Sequence, residues 1–188
     1  MNTGLTIETE RVDDIPVLIA EMNRMGVAEL VNENFGTHGN WQGIDLGRVV
    51  TGWLAHVLSE ADHRLNHVRN WAEKRPRTLQ GCLGGDVSGV DFTDDRLALV
   101  LDKLSVDSDW SKFEAGLNQR TLRVYNLARK CVRLDSTTAN GYWEVTEGGL
   151  FQFGHSKDHR PDQPQVKVML STLDPLGMPV AVQVVSGE

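Results

Sequence analysis

Apolar positions recur along this chain first at a helical spacing and then, past residue 130, in strict alternation. Leu5 to Val12 sets Leu5, Ile7 and Thr9 against Thr6, Glu8 and Glu10, which predicts a short strand. Asp13-Asp14 then caps a helix through Ile15, Leu18, Ile19, Met22 and Met25, with Pro16 tolerated in its first turn. Gly26 breaks that helix, and Val27, Leu30 and Val31 predict a second one ending near Gly36. The clearest stripe is Asp45 to Ser59, where Leu46, Val49, Val50, Trp53, Leu54, Val57 and Leu58 fall at i, i+3, i+4 spacing. Shorter helices are expected over Asn66 to Lys74 and Pro76 to Leu83, the latter punctuated by Gly84-Gly85.

Asp86 to Phe92 is polar and glycine-containing and reads as a loop. Thr93-Asp94-Asp95 opens a helix through Leu97, Val100, Leu101 and Leu104, because short oxygen-bearing side chains satisfy the free amides of a first turn. A further helix is expected from about Ser108 to Leu127, with Trp110, Phe113, Leu117, Val124 and Leu127 inward. Then the period changes. Cys131, Val132 and Leu134 begin a strand that ends near Thr138, and Asn140-Gly141 and Gly148-Gly149 mark turns. Tyr142 to Phe153 reads as a small hairpin or an irregular insert. Val166 to Leu173 alternates strongly, Asp174-Pro175-Leu176-Gly177 turns the chain, and Pro179 to Val185 returns as a strand. The expected fold is α+β, with a mainly helical domain over 1–129 and an antiparallel three-stranded start of a sheet over 130–188.

Composition changes this picture little. At 188 residues, 40% hydrophobic and 24% charged, the chain has a globular balance. A net charge of −7 counts against a self-sufficient, uniformly basic nucleic-acid binder, although basic residues can still cluster locally. Arg64, Arg69, Lys74, Arg75 and Arg77 surround Trp71, and Arg120, Arg123, Arg129, Lys130 and Arg133 occupy the run into the first strand. Either group can follow a DNA backbone or simply be solvated. Cys82 and Cys131 form no paired motif and, with nothing resembling a signal peptide, read as buried thiols of a reduced, cytoplasmic protein. No apolar run approaches the roughly 20 residues of a membrane span.

Two places carry chemistry. Asp135 sits in the middle of an apolar strand, where a carboxylate is costly to bury unless it is paired or binds a cation. It is either a ligand for Mg²⁺ of the kind used in two-metal phosphoryl transfer, or a strand residue bonded to Ser136, Thr137 or nearby amides. The run Gly154-His155-Ser156-Lys157-Asp158-His159-Arg160-Pro161-Asp162 is the second. His155 and His159 are at i, i+4, the spacing of a helical zinc site, but Gly154 and Pro161 disfavour a helix. A charged loop in which His155, Lys157, His159 and Arg160 meet phosphates, or one that is merely solvated, fits better. Asp174, between Leu173 and Pro175, reads as a turn residue.

The elements Arg133-Leu134-Asp135-Ser136-Thr137-Thr138, Phe153 to Asp162, and Leu173-Asp174-Pro175-Leu176-Gly177-Met178-Pro179 together resemble the DDE-type insertion-sequence transposases of the IS-four-like superfamily. The branch in question carries a helical N-terminal domain ahead of its catalytic core; Asp94-Asp95-Arg96-Leu97 and the helix after it match more loosely. The resemblance implies a ribonuclease-H-like core, here limited to its first three strands. It also implies Mg²⁺- or Mn²⁺-dependent DNA cleavage and strand transfer, with Asp135 as the first acidic residue of the catalytic set. The second Asp and the Glu lie on later elements in relatives. The expectation is therefore a C-terminally truncated transposase, inactive alone, with DNA element ends as partner and no membrane association. Its alternatives are a non-catalytic protein that binds DNA ends or pairs with itself or an intact transposase as an inhibitor, and a small helical interaction domain with an appended sheet.

Overall fold

The computed structural model describes residues 7, 9–37, 39–128 and 131–187. The chain is α+β: helices come first and a three-stranded antiparallel sheet follows. It divides into two compact units, Met1–Val124 and Tyr125–Glu188.

The first unit holds α1 (Ile15–Met25), α2 (Val27–Asn34), α3 (Leu46–Glu60), α4 (Leu65–Glu73), α5 (Pro76–Leu83), α6 (Asp94–Leu104) and α7 (Asp107–Val124). A 3-10 turn, Gly89–Phe92, lies inside the segment read as loop. Local chemistry sets the boundaries. Asp45 accepts from Arg48 N at 2.9 Å and so caps α3, while Thr93 does the same for Arg96 N in α6. Pro in the first turn opens α5, and Gly84 stops it. Ile15, Ile19, Val31, Leu46, Val49, Val68, Leu79, Phe92, Leu97 and Val100 are fully buried in one core. Each such side chain contributes about 1.5–3 kcal/mol on leaving water.

Four expectations are corrected here. Residues 7 and 9–12 form no strand; Leu5, Thr6 and Glu8 lie outside the described residues. Instead Glu10 accepts from Arg77 N, Thr78 N and Thr78 Oγ1, all at 2.9 Å, and caps α5 from a distant part of the chain. Asp14 occupies the N-cap of α1 but makes no capping bond, its carboxylate accepting from Ser59 Oγ at 2.5 Å. In α3 the buried side includes Thr51, Gly52, Ala55 and His56, while Leu58 is exposed, because the C-terminal half turns small and polar positions inward. In α7 Phe113 is buried, whereas Trp110 is partly exposed and Leu127 lies beyond the helix end.

One glycine is needed for close contact and another for its backbone conformation. A Cβ at Gly47 would collide with the Ala28 carbonyl, so α2 and α3 approach at backbone distance there. Gly26, at φ 68°, joins α1 to α2, and its carbonyl accepts from Arg120 Nη1 of α7 at 2.9 Å.

The second unit is a meander of β1 (Val132–Asn140), β2 (Gln165–Leu173) and β3 (Met178–Ser186), in the order β1-β2-β3. Asp135 faces Leu170, which faces Val182; Thr137, Val168 and Val184 form the next row on that face. The register shifts between Ser171 and Thr172, opposite Pro179, where a residue without an N–H suits an irregular position. Tyr142 to Phe153 is an irregular insert, joined to β2 by a bridge between Gln152 and Gln165, and its Leu150 carbonyl accepts from Gly187 N just past β3. Both cysteines are free, and neither is buried: Cys82 is half-buried and Cys131 exposed.

Candidate functional site

The ladder geometry decides what β1 shows on its open side. Asp174 N donates to Cys131 O and Gly141 N to Pro164 O, so odd-numbered residues of β1 bond to β2 and even-numbered ones turn their backbone groups away. Ser136 is one of the latter. Its N–H donates to Asp135 Oδ1 at 2.7 Å, and its carbonyl accepts from Lys157 Nζ. Lys157 Nζ also lies 3.9 Å from Asp135 Oδ1.

Asp135 is not a buried carboxylate. Its side chain is 92% exposed, so the burial cost expected from the apolar strand does not arise. The sheet face around it, with Val182 and Val184, is itself half-exposed. Of the two roles open to Asp135 in the sequence, a bond to the adjacent amide is the one present in the described residues. Asp174 is held by Arg133, whose Nε lies 2.8 Å from it. Arg133 is thereby occupied at the sheet edge, and its proton is held above the ordinary arginine range by the hydrogen bond to Asp174.

The loop carrying His155, Lys157, His159 and Arg160 is irregular, as Gly154 and Pro161 require. Ser156 is its buried anchor: Oγ stands 3.4 Å from Asn140 Oδ1 and accepts from Asp158 N at 3.3 Å. His159 takes a left-handed backbone conformation, φ 57°, and its N–H donates to Ser156 O. Arg160 grips Asp162 with two bonds, 3.0 and 2.9 Å. That fork raises the arginine above its ordinary range and holds Asp162 below the ordinary carboxylate value. Lys157 and Arg160 are thus each matched by a carboxylate of the same unit. The imidazoles of His155 and His159 are exposed.

The donor set does not suit a divalent cation. Among the described residues no group of three or more His, Cys, Asp and Glu could hold a metal ion. Asp135 meets an ammonium at 3.9 Å, not a second carboxylate, and two-metal chemistry needs several oxygen ligands converging. The i, i+4 pair His155 and His159 likewise has no helix to align it.

The basic groups also separate. Arg69 pairs with Glu73, while Arg64, Lys74 and Arg75 line an open cleft beside Trp71. Arg120 binds Gly26 O and lies near Glu29 and Glu33. Arg129 and Lys130 lie outside the described residues. Sequence reading saw the basic residues around Trp71 but not His56, Glu60, Asp62 and His67, which complete that cleft. The spacing Arg64, His67, Trp71, Lys74 was the available signal, since it runs along one side of α4 from the residue before it to the residue after it.

No helix among the described residues is long and apolar enough to cross a membrane. No curated protein and no solved structure matches the chain. A family model, described as a domain of unknown function (DUF4277), matches residues 7–114, which fall within the helical unit. That match spans more than half of the sequence, and the chain belongs to the DUF4277 family.

Proposed function

We propose that this protein is a transposase-derived protein of the DDE type, which engages insertion-sequence DNA and does not cut it on its own. The observation that carries the reading is the place of Asp135: mid-strand in the first strand of an antiparallel β1-β2-β3 meander, with a basic loop docked against the same edge. The sequence resemblance assigns the first catalytic carboxylate to that position. Its full exposure leaves it open to other donors brought by a partner. The non-cutting part rests on the donor set, since among the described residues no group of metal ligands gathers around Asp135 and its neighbour Lys157 cannot organise the two cations that strand cleavage uses. DNA contact in this unit falls to His155, Lys157, His159 and Arg160, and the partner protein is a second copy or an intact transposase.

The test uses the purified 188-residue chain and end-labelled duplex carrying the element ends, with Mg²⁺ or Mn²⁺ present. The expected result is a gel shift that weakens steeply as salt rises, without strand cleavage. Replacing Lys157 and Arg160 together by Ala lowers the affinity. Cleavage by the chain alone would refute the non-cutting role, and the absence of any shift at low salt would refute DNA engagement.

A further inference from the structure

The helical unit contains an open cleft of about 730 Å³ that the proposed DNA chemistry does not use. Its walls are Thr9 and Arg11, the C-terminal half of α3, the segment leading into α4, the side of α4 that carries His67 and Trp71, and Lys74 and Arg75 just after that helix. Two independent features mark it as a place that receives a ligand.

The first is charge. Arg11, Arg64, Lys74 and Arg75 line the cleft against only Glu60 and Asp62. Arg64 is forked onto Asp62 at 2.9 and 2.8 Å, Arg75 lies 3.1 Å from Glu60, and Arg11 lies 2.8 Å from Asp13. Lys74 has no carboxylate partner among the described residues, so the lining keeps an unneutralised ammonium.

The second is hydrogen bonding. Trp71 and His56 are 5% and 2% exposed and both line the cleft, yet Trp71 Nε1 and His56 Nδ1 have no partner among the described residues. Buried polar atoms are rarely left so, and an indole N–H can only donate. The two rings meet edge to face at 5.2 Å, and Arg75 lies over Trp71. Burial lowers the His56 pKa, so the ring disfavours carrying a positive charge of its own.

We infer that this cleft is a binding site for a phosphate ester, the charged oxygens seated against Lys74 and within reach of donors on α4. Phosphate suits it better than a carboxylate because it offers three acceptor oxygens to donors spread along the helix. The volume lies in the range of small-molecule sites, about 300–1,000 Å³, and exceeds what a phosphate group alone fills. The ligand therefore carries a body behind its phosphate, either a free nucleotide or a stretch of DNA backbone. This inference does not rest on the transposase reading.

The test follows the assigned Trp71 indole N–H by NMR in the full chain while inorganic phosphate, a mononucleotide and a short duplex are titrated separately. A saturable shift is expected with at least one of them. Lys74→Glu is expected to weaken it about tenfold or more, with an unchanged melting temperature. A shift with the mononucleotide or inorganic phosphate identifies a free ligand as the source, and a shift with the duplex alone identifies DNA. The proposal fails if none of the three moves the resonance saturably, or if Lys74→Glu and a second lining variant, Asn70→Ala, both bind as tightly as the native chain. Duplex binding that leaves the Trp71 signal still would remove this site and leave the DNA-engaging loop of the other unit standing.

Discussion

Lys157 donates to the carbonyl of Ser136, and its Nζ stands 3.9 Å from Asp135 Oδ1, the same oxygen that accepts the Ser136 N–H. Loop and strand therefore meet at Ser136 as well as at Asn140, which places the loop along the open edge of the sheet beside the candidate carboxylate. The edge is also partly capped by this contact, which uses one of the free carbonyls that an exposed strand otherwise offers to other chains.

The exposure of the pair sets its energetic weight. With side chains 53% and 92% exposed, Lys157 and Asp135 interact through water, where such pairs contribute about 0–1 kcal/mol. Asp135→Asn is expected to change stability by less than about 0.5 kcal/mol, read as the urea midpoint of the sheet unit's unfolding. A loss above about 2 kcal/mol would make Asp135 a structural residue and remove it from the candidate site.

Asp91 presents the opposite case. It is 2% exposed and accepts from Ser88 N at 3.0 Å, Ser88 Oγ at 3.2 Å and Ile44 N at 3.3 Å, with Arg96 Nη1 at 3.5 Å. Arg96 in turn donates to Ile44 O and lies over Trp41 at 4.2 Å. Removing the carboxylate strands three donors and a half-buried guanidinium. Asp91→Ala is expected to cost about 3–5 kcal/mol, measured by chemical denaturation. A cost below about 1 kcal/mol would show that water replaces the carboxylate at this junction.

Asp91 also shows where sequence reading stops. The segment around it is short, polar and glycine-containing, which reads as loop, and nothing local says that a carboxylate there will hold Ile44, 47 residues earlier. Glu10, capping α5 from 67 residues away, is hidden for the same reason. By contrast α5, bounded by Pro76 and Gly84, and the sheet, with its alternating Val166 to Leu173, were legible because their signals lie within a few residues. The candidate carboxylate falls between these cases. Its strand was readable, but its exposure depends on what covers the sheet, and a single strand's pattern does not contain that.

The α2–α3 contact gives a sharper test of packing. Because a methyl group at Gly47 would run into the Ala28 carbonyl, a backbone atom, no side-chain rotation relieves it. Gly47→Ala is expected to lower stability by about 1–3 kcal/mol despite the better helix propensity of alanine. Gly81→Ala, where nothing lies within 4 Å of the added Cβ, serves as the control and is expected to be neutral or stabilising. Equal behaviour of the two variants would contradict the close approach of α2 to α3.

The buried imidazole of His56 ties stability to pH. Burial lowers its pKa in the folded protein; Glu60 and Asp62 oppose that shift, while His67 and Arg75 reinforce it. The unfolded chain therefore takes up this proton first as pH falls, near the ordinary histidine value of about 6.5. Its contribution to stability is fully present above that value and is lost as pH falls toward the lower folded pKa. Asp62, held far below its usual range by the hydrogen bonds from Arg64, begins to weaken the fold only near the ordinary carboxylate value of about 4, so the two effects occupy separate windows. The urea midpoint is expected to drop between about pH 7 and pH 5 in the native chain, and His56→Phe is expected to flatten that part of the profile. A profile of unchanged slope in His56→Phe would assign the pH dependence to other groups.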